Sequence, residues 1–155
     1  AILSQEKVSG LGINGKMNEA EAALGLLQLK YIEKNICKRK NIYDLYIKLL
    51  EPNKNIRLLN FPKFVKYNYA YLPVFFNEGI LVRDRVYKNL KERNIICRKY
   101  WYPLLTDHDF YKNSVNNDLI NARKLSESVL CLPIYPDLNQ KNINLIIQII
   151  EQTLR

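Results

Sequence analysis

Gly12-Ile13-Asn14-Gly15-Lys16-Met17-Asn18-Glu19, running into Ala20-Glu21-Ala22-Ala23-Leu24-Gly25-Leu26-Leu27-Gln28-Leu29, joins a glycine-bent polar loop to the start of a helix. The glycines flanking Ile13-Asn14 let the backbone turn tightly. They expose the Asn14 amide and the Lys16 ammonium just ahead of a helix N-terminus, an arrangement suited to an anion. Local turn-making is the alternative role for Asn14. Asn18 is placed to cap the helix, with Glu21 as its capping-box partner. Ala22, Leu26, Leu29, Ile32 and Ile36 then recur at helical steps, and Tyr43, Tyr46 and Leu50 extend the stripe. The spacing predicts one long helix over 18–50, stopped before Pro52, or one broken near 38–41. At 1.5 Å per residue it would be roughly 45 to 50 Å long, so part of its face is available to another domain or subunit.

Outward from that helix, residues 1–17 read as a loop and 51–68, with Pro52, Asn53 and Pro62, as an extended connection. Residues 69–76 are aromatic and β-branched enough for a strand, with Pro73 marking an edge or a bulge. Val82, Val86 and Leu90 predict a helix over 81–93 that Asn94 ends, followed by a second strand over 95–100. Residues 103–117 form a polar loop, 119–128 a helix and 129–132 a third strand. Asn139 caps a last helix over 140–154 with an apolar face of Ile143, Ile146, Ile147 and Ile150. The expected fold class is α/β, a two-layer sandwich: a small sheet of about three strands, with helices packed on one face, preceded by the long helix. Residues 18–155 then form a single small α/β domain.

The 155 residues carry a formal charge of +9, which raises the question of nucleic acid. The cations are dispersed among acids, and the densest run, Lys38-Arg39-Lys40, shares its helix with Glu33 and Asp44. No nucleic-acid partner is expected from such a distribution. A positive field does favour anionic ligands such as nucleotide diphosphates. Cys37, Cys97 and Cys131 lack metal-ligand spacing, and His108, the only histidine, reads as an exposed loop residue, so no metal site is expected. A reducing cytoplasm suits the cysteines. No run approaches the roughly 20 apolar residues of a membrane helix, so no membrane partner is expected either.

The loop and helix resemble the signature of the DegT/DnrJ/EryC1/StrS-type sugar aminotransferases, pyridoxal-phosphate enzymes that aminate keto sugars attached to nucleotides. Their loop usually reads Gly, any residue, Asn, aromatic, Arg, Met. Gly12, Asn14 and Met17 match it; Gly15 replaces the aromatic residue and Lys16 the Arg. Ala22-Ala23 with Gln28-Leu29 is similar to the family's helix. Ile95-Ile96-Cys97-Arg98-Lys99-Tyr100-Trp101-Tyr102-Pro103-Leu104 resembles the segment that approaches the sugar, and Leu130-Cys131-Leu132-Pro133-Ile134-Tyr135-Pro136 resembles the final block. Three blocks in the family's order are far more specific than any one. Leu105 departs from the pattern, because the family often has His after the Pro-Leu pair.

The resemblance implies the C-terminal small domain of a fold type I aminotransferase, which also suits a chain that begins Ala1-Ile2-Leu3 without methionine. The cofactor-binding lysine, the acidic partner of the pyridine nitrogen and a phosphate-binding Ser or Thr would lie upstream. This chain would then hold no catalytic residue and be inactive alone. Pyridoxal phosphate would be bound mainly by the large domain, with Asn14, and Lys16 in place of the family's Arg, meeting the cofactor phosphate of the neighbouring subunit in a homodimer. Lys16 keeps the charge of an Arg without its bidentate fork. An amino acid, glutamate by expectation, would donate the amino group to a nucleotide-sugar substrate. Arg98, Tyr100 and Tyr102 are the candidate substrate contacts, placed on one face by strand alternation; the alternative is that these rings are the core and rim of a strand end. Two rivals to this reading are a small basic α/β binding module for RNA or an acidic partner, and an inactive relative of the aminotransferases.

Overall fold

The computed structural model describes residues 2–4, 7–8, 15–111 and 119–155, so Asn14 lies outside the described residues. Strands β1 (Ile2–Ser4) and β2 (Lys7–Val8) pair antiparallel within the stretch expected to be loop. Helix α1 (Glu19–Leu29) opens with the expected capping box. Asn18 Oδ1 accepts from Glu21 N at 2.9 Å, and Asn18 N donates to Glu21 Oε2 at 3.0 Å. Helix α2 (Ile32–Leu50) follows after a turn at Lys30 and Tyr31. The single helix expected over 18–50 is therefore two helices, broken before 38–41. At the break Lys30 N and Tyr31 N bond to Leu27 O and Gln28 O, tightening the ladder to three-residue steps.

The break divides the apolar stripe. On α2, Ile42, Tyr43, Tyr46 and Leu50 are buried. On α1 nothing is: Leu24, Leu26, Leu27 and Leu29 are 57%, 67%, 53% and 62% exposed.

Strand β3 (Ile56–Leu58) lies inside the stretch expected to be a bare connection; at three residues it is too short to show a period. It pairs with β4 (Leu72–Phe76), which leads into helix α3 (Ile80–Glu92). Helix α4 (Ile120–Ser128) runs directly into β5 (Val129–Leu132), and α5 (Gln140–Leu154) closes the fold, capped by Asn139 Oδ1 accepting from Asn142 N at 2.9 Å. The sheet order is β3-β4-β5, all antiparallel, so β4 is a central strand with unshifted register through Pro73, where an edge or a bulge was expected.

Register explains how a central strand tolerates Pro73. Arg98 and Cys131 exchange both backbone hydrogen bonds, at 3.1 and 2.8 Å, so Cys131 turns its polar groups away from β4. Pro73 is the β4 partner of Cys131 and so sits in a non-hydrogen-bonded pair. Its nitrogen faces the β3 side, where β3 has already ended at Leu58 opposite Val74.

The strand expected over 95–100 reduces to that one bridge at Arg98. Asn94, with φ 58°, and Ile95 N, bonded to Leu90 O at 3.0 Å, finish α3, while Tyr102 N bonds back to Lys99 O at 2.9 Å and closes a turn. Little chain remains between them to pair.

One sheet face, Ile56, Leu72, Val74, Phe76, Leu130 and Leu132, meets the apolar stripes of α2, α3 and α5 in a single core, giving the expected two-layer α/β arrangement. Among the described residues no helix is long and apolar enough to cross a membrane.

Candidate functional site

The site is built where the sheet ends. The two backbone bonds to Cys131 pin Arg98 to the outer edge of β5, and the turn at 99–102 then carries the chain outward. Arg98 Nη1 donates to the Tyr100 hydroxyl, and its guanidinium carbon lies 5.5 Å from the Tyr100 ring centre. That hydrogen bond pushes the Arg98 pKa above its ordinary value, so the cation persists at any working pH. Tyr71, just before β4, meets Tyr100 edge-on at 5.4 Å, and Trp101 lies against Tyr100 at 4.4 Å. Trp101 is 73% exposed. Tyr71 and Arg98 also line an open cleft of about 680 Å³ with Arg93, Ile95, Leu132 and Tyr135. A cleft of that size, apolar-walled and edged by two guanidinium-bearing residues, can take a flat ring and an attached anion.

Tyr102 does not share that face. The Arg83 guanidinium carbon lies 4.4 Å from its ring centre and Lys99 Nζ 5.7 Å from it. Alternation holds only while a chain is extended, and the turn at 99–102 ends the extension after Arg98. Arg98 and Tyr100 are thus together, and Tyr102 belongs with Lys99 and Arg83. Lys99 Nζ also lies 3.5 Å from Asp84 Oδ1 and 4.6 Å from the Tyr87 ring.

Sequence reasoning missed Tyr71 and Arg83. The signal for Arg83 was present: it is a charge set inside the apolar stripe of Val82, Val86 and Leu90. Tyr71 carried none, because its contact depends on the sheet register.

Lys16 is exposed ahead of α1. The helix end behind it is poorly suited to an anion, since the capping box occupies the N–H groups of Asn18 and Glu21 and the first turn carries the carboxylates of Glu19 and Glu21. A phosphate there would draw its positive charge from the Lys16 ammonium and not from the helix terminus, and an exposed cation suits that group.

No nucleophile emerges from the buried thiols. Burial pushes Cys97 up to about 12 and Cys131 up to about 11, leaving both neutral at physiological pH. His108 is half-buried rather than exposed. Its neighbour Asp107 receives both arms of Arg123, at 3.0 and 2.8 Å, and this contact holds the Asp107 carboxyl below its usual value.

Comparison with known proteins follows the same lines. The model of the DegT/DnrJ/EryC1/StrS aminotransferase family matches residues 3–151. A dTDP-4-amino-4,6-dideoxy-D-glucose transaminase of Escherichia coli is 41% identical over 144 residues, 90% of this chain and 39% of that protein. A Shigella dysenteriae protein of the same name is 32% identical over 153 residues, 97% of this chain and 41% of that one. Among solved structures, the aminotransferase TlmJ from Streptoalloteichus hindustanus superposes with a TM-score of 0.79 at 22% identity, covering 96% of this chain and 39% of that chain, a likeness of fold. The chain spans about two fifths of the length of these curated relatives.

Proposed function

Because this chain belongs to the DegT/DnrJ/EryC1/StrS aminotransferase family, we propose that it is the C-terminal α/β domain of an enzyme that moves an amino group from glutamate to C4 of a dTDP-linked 4-keto-6-deoxy hexose. The observation that carries the substrate half is Arg98 held against Tyr100 at the sheet edge, flanked by Tyr71 and Trp101. A guanidinium beside open aromatic rings suits the diphosphate and the flat base of a nucleotide sugar. The names of the two curated relatives support dTDP as the carrier and C4 as the carbon aminated.

Pyridoxal phosphate, the family's cofactor, supplies an electron sink for amino-group transfer when bound. The work assigned to this chain is binding and orientation. Lys16, with Asn14, lends positive charge and a donor amide to the cofactor phosphate of a partner subunit. Arg98, Tyr100, Tyr71 and Trp101 form one wall of the sugar-nucleotide pocket, and Lys99 and Tyr102 back that wall. The lysine that holds the cofactor belongs to the rest of the enzyme, so this domain by itself is silent. The uncovered apolar surface of α1 supports this division, since it needs a second unit to lie against.

The test is made on the enzyme expressed from its whole gene, loaded with cofactor and given glutamate and the dTDP-linked 4-keto sugar. Amino-sugar and 2-oxoglutarate formation is expected. Arg98→Met should raise KM for the keto sugar about tenfold or more with kcat little changed, as loss of a charge-assisted contact of about 1.5–3 kcal/mol requires. No amino sugar from any nucleotide-linked 4-keto hexose would sink the reading.

A further inference from the structure

Arg83 is fully buried, at 0% exposure, on the core-facing stripe of α3. A guanidinium there is costly to desolvate, and neither Nε nor Nη2 has a hydrogen-bond partner, Nε being left with an ion-pair contact alone. An aliphatic side chain would pack beside Val82, Val86 and Leu90 without that penalty. One of its contacts holds α4 and the others converge on the turn at 99–102. Nη1 donates to Ser126 O at 3.0 Å, capping the last turn of α4 with positive charge. Nε lies 2.7 Å from Asp84 Oδ1, and the same oxygen is 3.5 Å from Lys99 Nζ. The guanidinium stacks 4.4 Å from the Tyr102 ring centre. Arg83 therefore touches Tyr102, the last residue of the turn at 99–102, directly, and Lys99, the first, through Asp84. Between those two anchors lie Tyr100 and Trp101.

We propose that Arg83 is a positioning residue: from inside the core it clamps both ends of the Lys99–Tyr102 turn and so fixes the aromatic wall formed by Tyr100 and Trp101. It reaches no solvent and so touches no ligand. Its bearing on substrate rests on the reading above, in which that wall faces the sugar nucleotide. The position of the turn does not.

The test uses the complete cofactor-loaded enzyme labelled with 5-fluorotryptophan, with the Trp101 fluorine resonance identified by its loss in Trp101→Phe. Arg83→Met should lower the melting temperature, because Ser126 O and Asp84 Oδ1 each lose a partner, so resonance and kinetics are read well below it. It should also shift the Trp101 resonance and raise KM for the keto sugar about tenfold, with kcat within about twofold. Arg83→Lys should recover part of both effects. Tyr102→Leu should shift the same resonance, and Arg83→Met combined with it should add little, since both remove one clamp. The proposal is overturned if the Trp101 resonance stays in place in Arg83→Met, or if the two effects add in full. A shifted resonance with unchanged KM upholds the clamp and removes Tyr100 and Trp101 from the substrate pocket. An unmoved resonance in Arg83→Met, with KM still raised by Arg98→Met, ends the clamp and leaves the pocket standing.

Discussion

Helices α1 and α5 are both rich in aliphatic residues, yet α5 buries Ile143, Ile146, Ile147, Ile149 and Ile150 while α1 buries nothing. The difference lies in arrangement. On α5 the apolar residues alternate with Lys141, Asn144, Gln148 and Glu151, so one face is made for the core and one for water. On α1, Ala20, Ala22, Ala23, Leu24, Leu26, Leu27 and Leu29 cover well over half the circumference and leave only the strip of Glu21, Gly25 and Gln28. A helix with so wide an apolar face has little surface suited to solvent and belongs against a partner. The pair teaches that the amount of hydrophobicity predicts burial somewhere, while its periodicity predicts burial in this domain.

The largest expected effect tests that contrast directly. Ile146→Ala should cost about 2–5 kcal/mol in urea unfolding of the chain, because it opens a cavity in the core. Leu26→Ala on α1 should stay within about 0.5 kcal/mol in the same assay. Equal losses would show α1 to be packed in this domain and would remove the contrast.

A smaller effect sharpens it. A Cβ at Gly25, in the middle of α1, would meet nothing within 4 Å. Gly25→Ala should therefore stabilise the chain by about 0.5–1 kcal/mol through helix propensity. In the complete enzyme, where a neighbour is expected to close on α1, the gain should vanish. Thermal unfolding of both forms is the measurement, and a gain retained in the complete enzyme would mean that nothing approaches the helix there.

The smallest effect concerns a helix held by charge instead of aliphatic burial. Arg123 of α4 grips Asp107 with both arms, and the Asp107 carboxyl titrates below its usual value. A lowered folded pKa stabilises above the unfolded value of about 3.9 and loses that stabilisation as pH falls through the folded one. Arg123 is half exposed, so the pair is worth less than about 1 kcal/mol. Asp107→Asn should lower stability slightly at pH 7 and flatten its decline below about pH 4, read from urea midpoints across pH. An unchanged acid decline would assign that titration to other carboxylates.

Periodicity made α3, α4, α5 and β5 legible almost to their ends, and the two asparagine caps announced themselves through residue type. What stayed hidden depended on partners distant in sequence. Three residues of β3 carry no period, and their pairing with Val74, Phe75 and Phe76 gives them their only identity as a strand. The segment from Ile95 carries β-branched residues, but the end of α3 on one side and the 99–102 turn on the other consume it. Arg98 and Tyr100 were expected together by strand alternation, but what joins them is the side-chain hydrogen bond across the start of a turn. The departure of Tyr102 was not legible, since it follows from a hydrogen bond between Tyr102 N and Lys99 O that no pattern of residue types reveals.

Among the described residues the sheet's two flanks are short, three residues of β3 on one side and the lone Arg98 bridge on the other. A strand arriving from a foreign chain would find almost no continuous template to extend, and each flank presents an arginine, Arg57 or Arg98, to repel a basic copy of itself. For a domain this rich in isoleucine and tyrosine, such flanks leave the three-stranded sheet little edge on which a fibril could grow.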